Sequence, residues 1–223
     1  VIMADALMRL VVLKDDTKFD LVKSDKSNSR TLLVYLPGIL ADGKKSSLLM
    51  VDTWKQYGDV LLVSYAGKRF KPDNVVRDID RWVAENGSVY GQVVFIGSSL
   101  GGLLAYDTAP KMEARGLDVA YVPVAAPTSY GDLKGAGKAS PAMYLWWGGP
   151  ISNATTGKWF LKALFQEPKD DNIEPEVVRD ELKQRVEEAK ASPFSVYGDQ
   201  IRYVLGHGKL TPWSLTEIGR AHV

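Results

Sequence analysis

The sequence predicts an α/β fold: a mostly parallel sheet with helices on both faces, an antiparallel hairpin in front of it and a helical cap inserted near its end. Three observations predict it. Short runs rich in Val, Leu and Tyr alternate with segments whose apolar residues recur at helical spacing, an order that calls for crossover connections and parallel strands. Several of the runs, Thr31-Leu32-Leu33-Val34-Tyr35-Leu36 among them, are apolar without alternation, as strands covered on both faces are. Ahead of these, Met8 to Leu13 and Lys18 to Val22 are β-favouring runs separated by the polar turn Lys14-Asp15-Asp16-Thr17, the pattern of a hairpin.

The elements follow in order. Pro37-Gly38 ends the run at 31–36. Leu48, Leu49, Val51, Trp54 and Tyr57 suit a helix closed by Gly58, and Asp59 to Tyr65 is another buried strand. Pro72 opens a helix that carries Val75, Val76, Ile79, Trp82 and Val83 up to Gly87. Gln92 to Ile96 is a strand, Leu100 to Arg115 a helix ending at Gly116, and Val119 to Val124 a strand again. Beyond Pro127 the alternation breaks into a stretch rich in Gly, Pro, Ser and aromatics, with Met143-Tyr144-Leu145-Trp146-Trp147 in its midst. A segment of this length between regular elements reads as either a functional lid or a loop under strain. Pro175 to Ala189 is a charged amphipathic helix, and Phe194, Tyr197, Ile201, Val204 and Leu205 lie at helical spacing after Ser192-Pro193. Ile201, Tyr203 and Leu205 also alternate, which leaves a strand open at that point. The expected organisation is therefore a core at 1–127, a cap at 128–192, and helices returning to the core at 193–223.

Composition bounds the function. The 223 residues suffice for one substantial core, and 28 Lys+Arg against 27 Asp+Glu leave a net charge of +1. That balance disfavours a nucleic-acid binder that relies on a broad basic surface. No apolar stretch approaches the roughly 18 residues of a membrane-spanning helix. With no cysteine, the redox argument about compartment falls away, and the cytoplasm is the favoured location. No metal-ligand cluster is visible and no cofactor is implied.

The chemistry concentrates at Gly97-Ser98-Ser99-Leu100-Gly101, a G-x-S-x-G between an expected strand and an expected helix. A serine on so sharp a turn is held in a strained conformation, and only small residues two positions before and after it avoid the strand and helix. Its hydroxyl then stands over the positive end of the following helix. Here the chain resembles the α/β-hydrolase superfamily, from the hairpin through Val124. The resemblance implies a serine hydrolase acting on a carboxylic ester or related small apolar acyl substrate, with Ser99 as nucleophile. It implies an oxyanion hole made by the backbone N–H groups of Leu100 and of Ile39, the latter in the loop after the strand at 31–36. Pro37-Gly38 stands where the family has a His-Gly pair, and the glycine-rich signature of lipases is absent. Two alternatives stay open for the chain: an acyltransferase that passes the acyl group to an alcohol, amine or thiol, and a non-catalytic hydrolase-like domain that binds a ligand or protein through the cap.

The remaining catalytic groups have two readings. His207, in Gly206-His207-Gly208, is the base if Gln200 to Leu205 forms the last strand, and Asp132 is then its acid. Alternatively 194–205 and 211–219 are helices, a next strand begins near Ala221-His222-Val223, and the acid and base follow it. On that reading the chain is a fragment, which its start at Val1 supports. The lid aromatics, packed over Ser99, would favour an acyl or aromatic substrate; they serve equally as the lid's own core.

Overall fold

A computed structural model describes residues 17–39, 41–65, 70–126 and 194–207. Five strands are found among them: β1 (Lys18–Val22), β2 (Thr31–Leu36), β3 (Asp59–Ser64), β4 (Gln92–Ser98) and β5 (Asp118–Val124). Helices α1 (Gly43–Ser46) and α2 (Val51–Trp54) join β2 to β3, α3 (Pro72–Asn86) joins β3 to β4, and α4 (Leu100–Glu113) joins β4 to β5. Helix α5 (Phe194–Gly206) comes last among the described elements.

The sheet runs β1-β3-β2-β4-β5, with β1 antiparallel to β3 and the other neighbours parallel. Strand β1 pairs Lys18 with Ser64 and Val22 with Val60. The hairpin partner expected at Met8 to Leu13 lies outside the described residues. Alternate residues of each strand feed two apolar layers, as the two-residue period requires. Leu32, Val34, Leu36, Leu61, Val63, Val93 and Phe95 face α3, α4 and α5; Leu33, Tyr35, Val60, Leu62 and Ile96 face Val51 and Trp54 of α2. Helices therefore cover both faces, and unbroken apolar runs are the natural consequence.

Helix α3 starts with Pro72 in its first turn and buries Val75, Val76, Ile79 and Val83. Helix α4 is buried nearly all round, from Leu100 to Met112, and ends at Gly116 with φ +77°, a conformation that glycine adopts without steric cost. Arg115 Nε donates to Asp80 Oδ1 at 2.7 Å and ties the end of α4 to α3. No helix among the described residues is long and apolar enough to cross a membrane.

Two expectations are corrected. The helix read through Leu48, Leu49, Val51, Trp54 and Tyr57 is a single turn at Val51–Trp54, preceded by another at Gly43–Ser46, with Leu48 59% and Leu49 79% exposed. The Asp42 carboxylate caps α1 by accepting from Lys44 N and Lys45 N, and the chain turns again at the buried Ser47 before α2 begins. Of the apolar residues of that expected helix, Val51 and Trp54 pack on the sheet, where Trp54 meets Tyr35 with ring centroids 5.0 Å apart. The second correction concerns 194–206, which is helix throughout. Val196, Ile201 and Val204 are buried in the larger apolar layer, so burial follows the 3.6-residue period and the strand alternative at 200–205 is excluded.

Candidate active site

Ser99 links β4 to α4 with φ +51° and ψ −117°, a region that L-residues other than glycine rarely occupy. Its backbone N–H donates to the Val124 carbonyl at 2.9 Å, and its own carbonyl accepts from Gly102 N at 2.9 Å, the first tight turn of α4. Among the described residues only Asn28, Ser99 and Ala125 are non-glycine residues with positive φ. Two of the three meet here, because Ala125 follows Val124 directly and turns the chain out of β5 beside the serine.

The glycines around Ser99 are set by steric contact. A Cβ at Gly97 would lie 2.5 Å from Gly102 Cα, and one at Gly101 would lie 2.0 Å from the Leu36 carbonyl oxygen. At Gly102 a Cβ would meet Ala126 Cβ at 2.3 Å. The backbone of α4 can thus approach β2 and the exit of β5 only without side chains, and that approach brings the strand ends together around Ser99. The requirement for small residues two before and two after the serine is visible in these contacts. Gly102 and Ala125 carried no signal in the motif, although they belong to the same crowded turn.

The loop after β2 lies against the serine. A Cβ at Gly38 would sit 3.4 Å from Ser99 Cβ and 4.0 Å from Ser99 Oγ. Ile39 follows in the same loop, partly buried against the main apolar layer, and the Gly38 carbonyl accepts from Ala41 N at 3.2 Å. Leu100 begins α4 and is fully buried. Ser99, Leu100 and the Gly38-Ile39 loop are therefore neighbours, with partly exposed Ser99 at the helix N-terminus.

Two buried tyrosines hold this frame, and the sequence reading singled out neither. The Tyr65 hydroxyl, just past the end of β3, donates to the Pro37 carbonyl. Burial first, and the neighbouring Tyr35 second, push its pKa well above the usual 10.0, so it stays a neutral donor. Tyr121 on β5 donates to the Gly102 carbonyl at 2.9 Å and joins β5 to the first turn of α4; burial raises its pKa to about 12. The only available signal was a tyrosine within or just past an otherwise apolar strand, where a buried hydroxyl must find a partner.

His207 is not oriented on Ser99 by the last strand that its role as base required, because that segment is α5. Its Nε2 lies 3.1 Å from Asp107 Oδ1, and the Tyr203 hydroxyl donates to Asp107 Oδ2 at 2.5 Å. Asp107 is eight residues along α4 from Ser99, about 12 Å of helix rise. Tyr203 of α5 and His207 just beyond it thus pin the end of α5 to the middle of α4, and their rings pack edge to face, 5.3 Å apart. Asp132, the cap at 128–192 and His222 lie outside the described residues. Among the described residues no group of three or more His, Asp or Glu could hold a metal ion.

No family model and no curated protein sequence matches the chain. Solved structures do. A carboxylesterase of the ammonia-oxidizing thaumarchaeon Nitrososphaera gargenis is similar with a TM-score of 0.62 at 11% identity, over 91% of this chain and 73% of that one. A hydrolase from Oleispira antarctica gives 0.63 at 9% identity, over 92% and 74%. The esterase RhEst1 from Rhodococcus sp. ECU1013 gives 0.60 at 19% identity, over 84% and 70%. Together with the strand order, these likenesses establish the fold: it is that of the α/β-hydrolases.

Proposed function

We propose that the chain is a serine hydrolase that cleaves a carboxylic ester or related acyl substrate through an acyl-enzyme on Ser99. The observation that carries this reading is the strained serine itself. Ser99 holds φ +51° at a strand-to-helix turn, with the Gly38 loop packed against its side chain. Strain of this kind costs about 1–3 kcal/mol and persists where the surrounding structure over-determines it, as the contacts of Gly97, Gly101 and Gly102 do here. The solved neighbours described as a carboxylesterase and an esterase support the choice of substrate class.

In this reading Ser99 Oγ attacks the substrate carbonyl carbon and its proton passes to a general base. The N–H groups of Leu100 and Ile39 hold the oxyanion, and the N-terminal end of α4 adds its partial positive charge. Collapse of the tetrahedral intermediate breaks the bond to the alcohol, which leaves with a proton. Water then cleaves the Ser99 ester, regenerating the hydroxyl and releasing the acid. The base and its acid are read as lying outside the described residues, since 194–206 is helix and the last strand that was to carry His207 to Ser99 is not formed there. Acyl transfer would differ only in the last step, where another nucleophile replaces water.

Exposure of the folded chain to a fluorophosphonate probe tests this. An activated Ser99 displaces fluoride and forms a stable Oγ–P bond, and Ser99→Ala abolishes the labelling. Labelling that survives in Ser99→Ala, or a folded chain that takes no label, contradicts the proposal.

A further inference from the structure

We infer that Tyr65 is a positioning residue for this reaction: its buried hydroxyl, by donating to the Pro37 carbonyl, holds the Pro37-Ile39 loop against Ser99 so that Ile39 N–H meets the developing oxyanion. The inference rests on the Ser99 hydrolase reading and adds what sets the second donor in place. Three contacts define the loop. On one side the α4 backbone at Gly101 leaves no room for a side chain against the Leu36 and Pro37 carbonyl oxygens. Within the loop, Gly38 O accepts from Ala41 N. On the remaining side Tyr65 donates to Pro37 O.

Tyr65 is itself immobilised. It is 3% exposed, and its ring packs on Phe70 at 5.7 Å, which meets Tyr203 of α5 edge to face at 5.8 Å. The hydroxyl therefore has a fixed origin in the core, and Pro37, with its φ constrained and no N–H of its own, transmits that position to Gly38 and Ile39. Without the hydroxyl, the buried Pro37 carbonyl loses its donor and the peptides on either side of Gly38 are free to rotate toward another one. Oxyanion donors act at about 2.7–3.1 Å, and misplacement by about 1 Å costs on the order of 100-fold in rate.

The test compares Tyr65→Phe and Phe70→Leu with the wild-type chain, using p-nitrophenyl butyrate turnover and the rate of fluorophosphonate labelling. Tyr65→Phe keeps the ring and removes the hydroxyl; it is expected to lower kcat about 10- to 100-fold with KM within about twofold, and to slow labelling in parallel. Phe70→Leu loosens the packing that fixes the hydroxyl but keeps the hydroxyl itself, so it is expected to lower kcat by clearly less than Tyr65→Phe does. Wild-type kcat in Tyr65→Phe, an effect confined to KM, an equal kcat loss in Phe70→Leu, or a Tyr65→Phe chain that does not fold overturns the assignment. Each of those results leaves wild-type labelling at Ser99 intact and so spares the hydrolase reading. A folded wild-type chain that takes no label overturns both.

Discussion

Ser99 sits where a glycine would be at ease, and that sets up opposing effects on stability and activity. Replacing it with glycine relieves a positive φ at the cost of a more flexible unfolded chain, so Ser99→Gly is expected to unfold at higher denaturant, by about 1 kcal/mol, while losing all labelling. Gly101→Ala has the reverse character. Its new methyl would lie 2.0 Å from the Leu36 oxygen, and overpacking against backbone costs about 2–3 kcal/mol or prevents folding, as a denaturant titration would show. At the opposite end of the sheet, buried Asp59 accepts from Lys23 Nζ at 2.8 Å, Ser24 N at 2.8 Å and the Tyr90 hydroxyl at 2.6 Å. Burial alone would raise its pKa, but these donors outweigh burial and hold it below 3.8. The stability it contributes is therefore complete above the unfolded value of 3.8 and is lost as pH falls through the lower folded value. Asp59→Ala should cost about 3 kcal/mol at pH 7, with mutant and wild-type stabilities drawing together as the pH falls below 3.8. Of these residues, Gly97, Ser99 and Gly101 were legible because the motif is a steric rule written in three positions. Asp59 and Tyr65 were not, because their partners lie 28 to 36 residues away and no local pattern records them.

At the scale of elements, periodicity decided correctly wherever one face of a segment is buried along its whole length. Helix α3 is such a case, with Pro72 at its start and Val75, Val76, Ile79 and Val83 inward. Between β2 and β3 the same reasoning failed. Leu48 and Leu49 mimic an amphipathic face, but the Asp42 cap and the turn at Ser47 break the helix and leave both side chains in solvent. Leu49→Ser should accordingly change stability by no more than about 0.5 kcal/mol in a denaturant titration, where a core leucine would cost several times that. In α5 the residues fit both periods, and only the burial of Val196, Ile201 and Val204 against α4 separates helix from strand. That outcome removes the strand on which His207 would have been carried to Ser99. His207→Ala should lower stability by about 1 kcal/mol through the lost bond to Asp107, with the fluorophosphonate labelling rate unchanged. A loss of labelling by orders of magnitude would restore His207 as the base.

For the whole molecule, alternation of strands and helices identified a parallel sheet covered on both faces, because unbroken apolar runs have no other stable surroundings. The order β1-β3-β2-β4-β5 was not readable, since the apolar runs of β2, β3 and β4 carry no local pattern that fixes which strand lies beside which. In the order that forms, glycines bring the connecting segments into close contact with the strands. Gly101 must meet the end of β2, Gly102 the exit of β5, and Gly43 the Val63 carbonyl of β3. The same contacts gather the carboxyl ends of β2, β4 and β5 around one serine, so the fold and the site have a common cause. The most direct test of that claim is to incubate the chain with p-nitrophenyl butyrate, quench in acid, and map the adduct by peptide mass spectrometry. A butyryl group found on the peptide containing Ser99, absent in Ser99→Ala, is the predicted result. Turnover without an adduct at Ser99, or an adduct that persists in Ser99→Ala, would contradict the account.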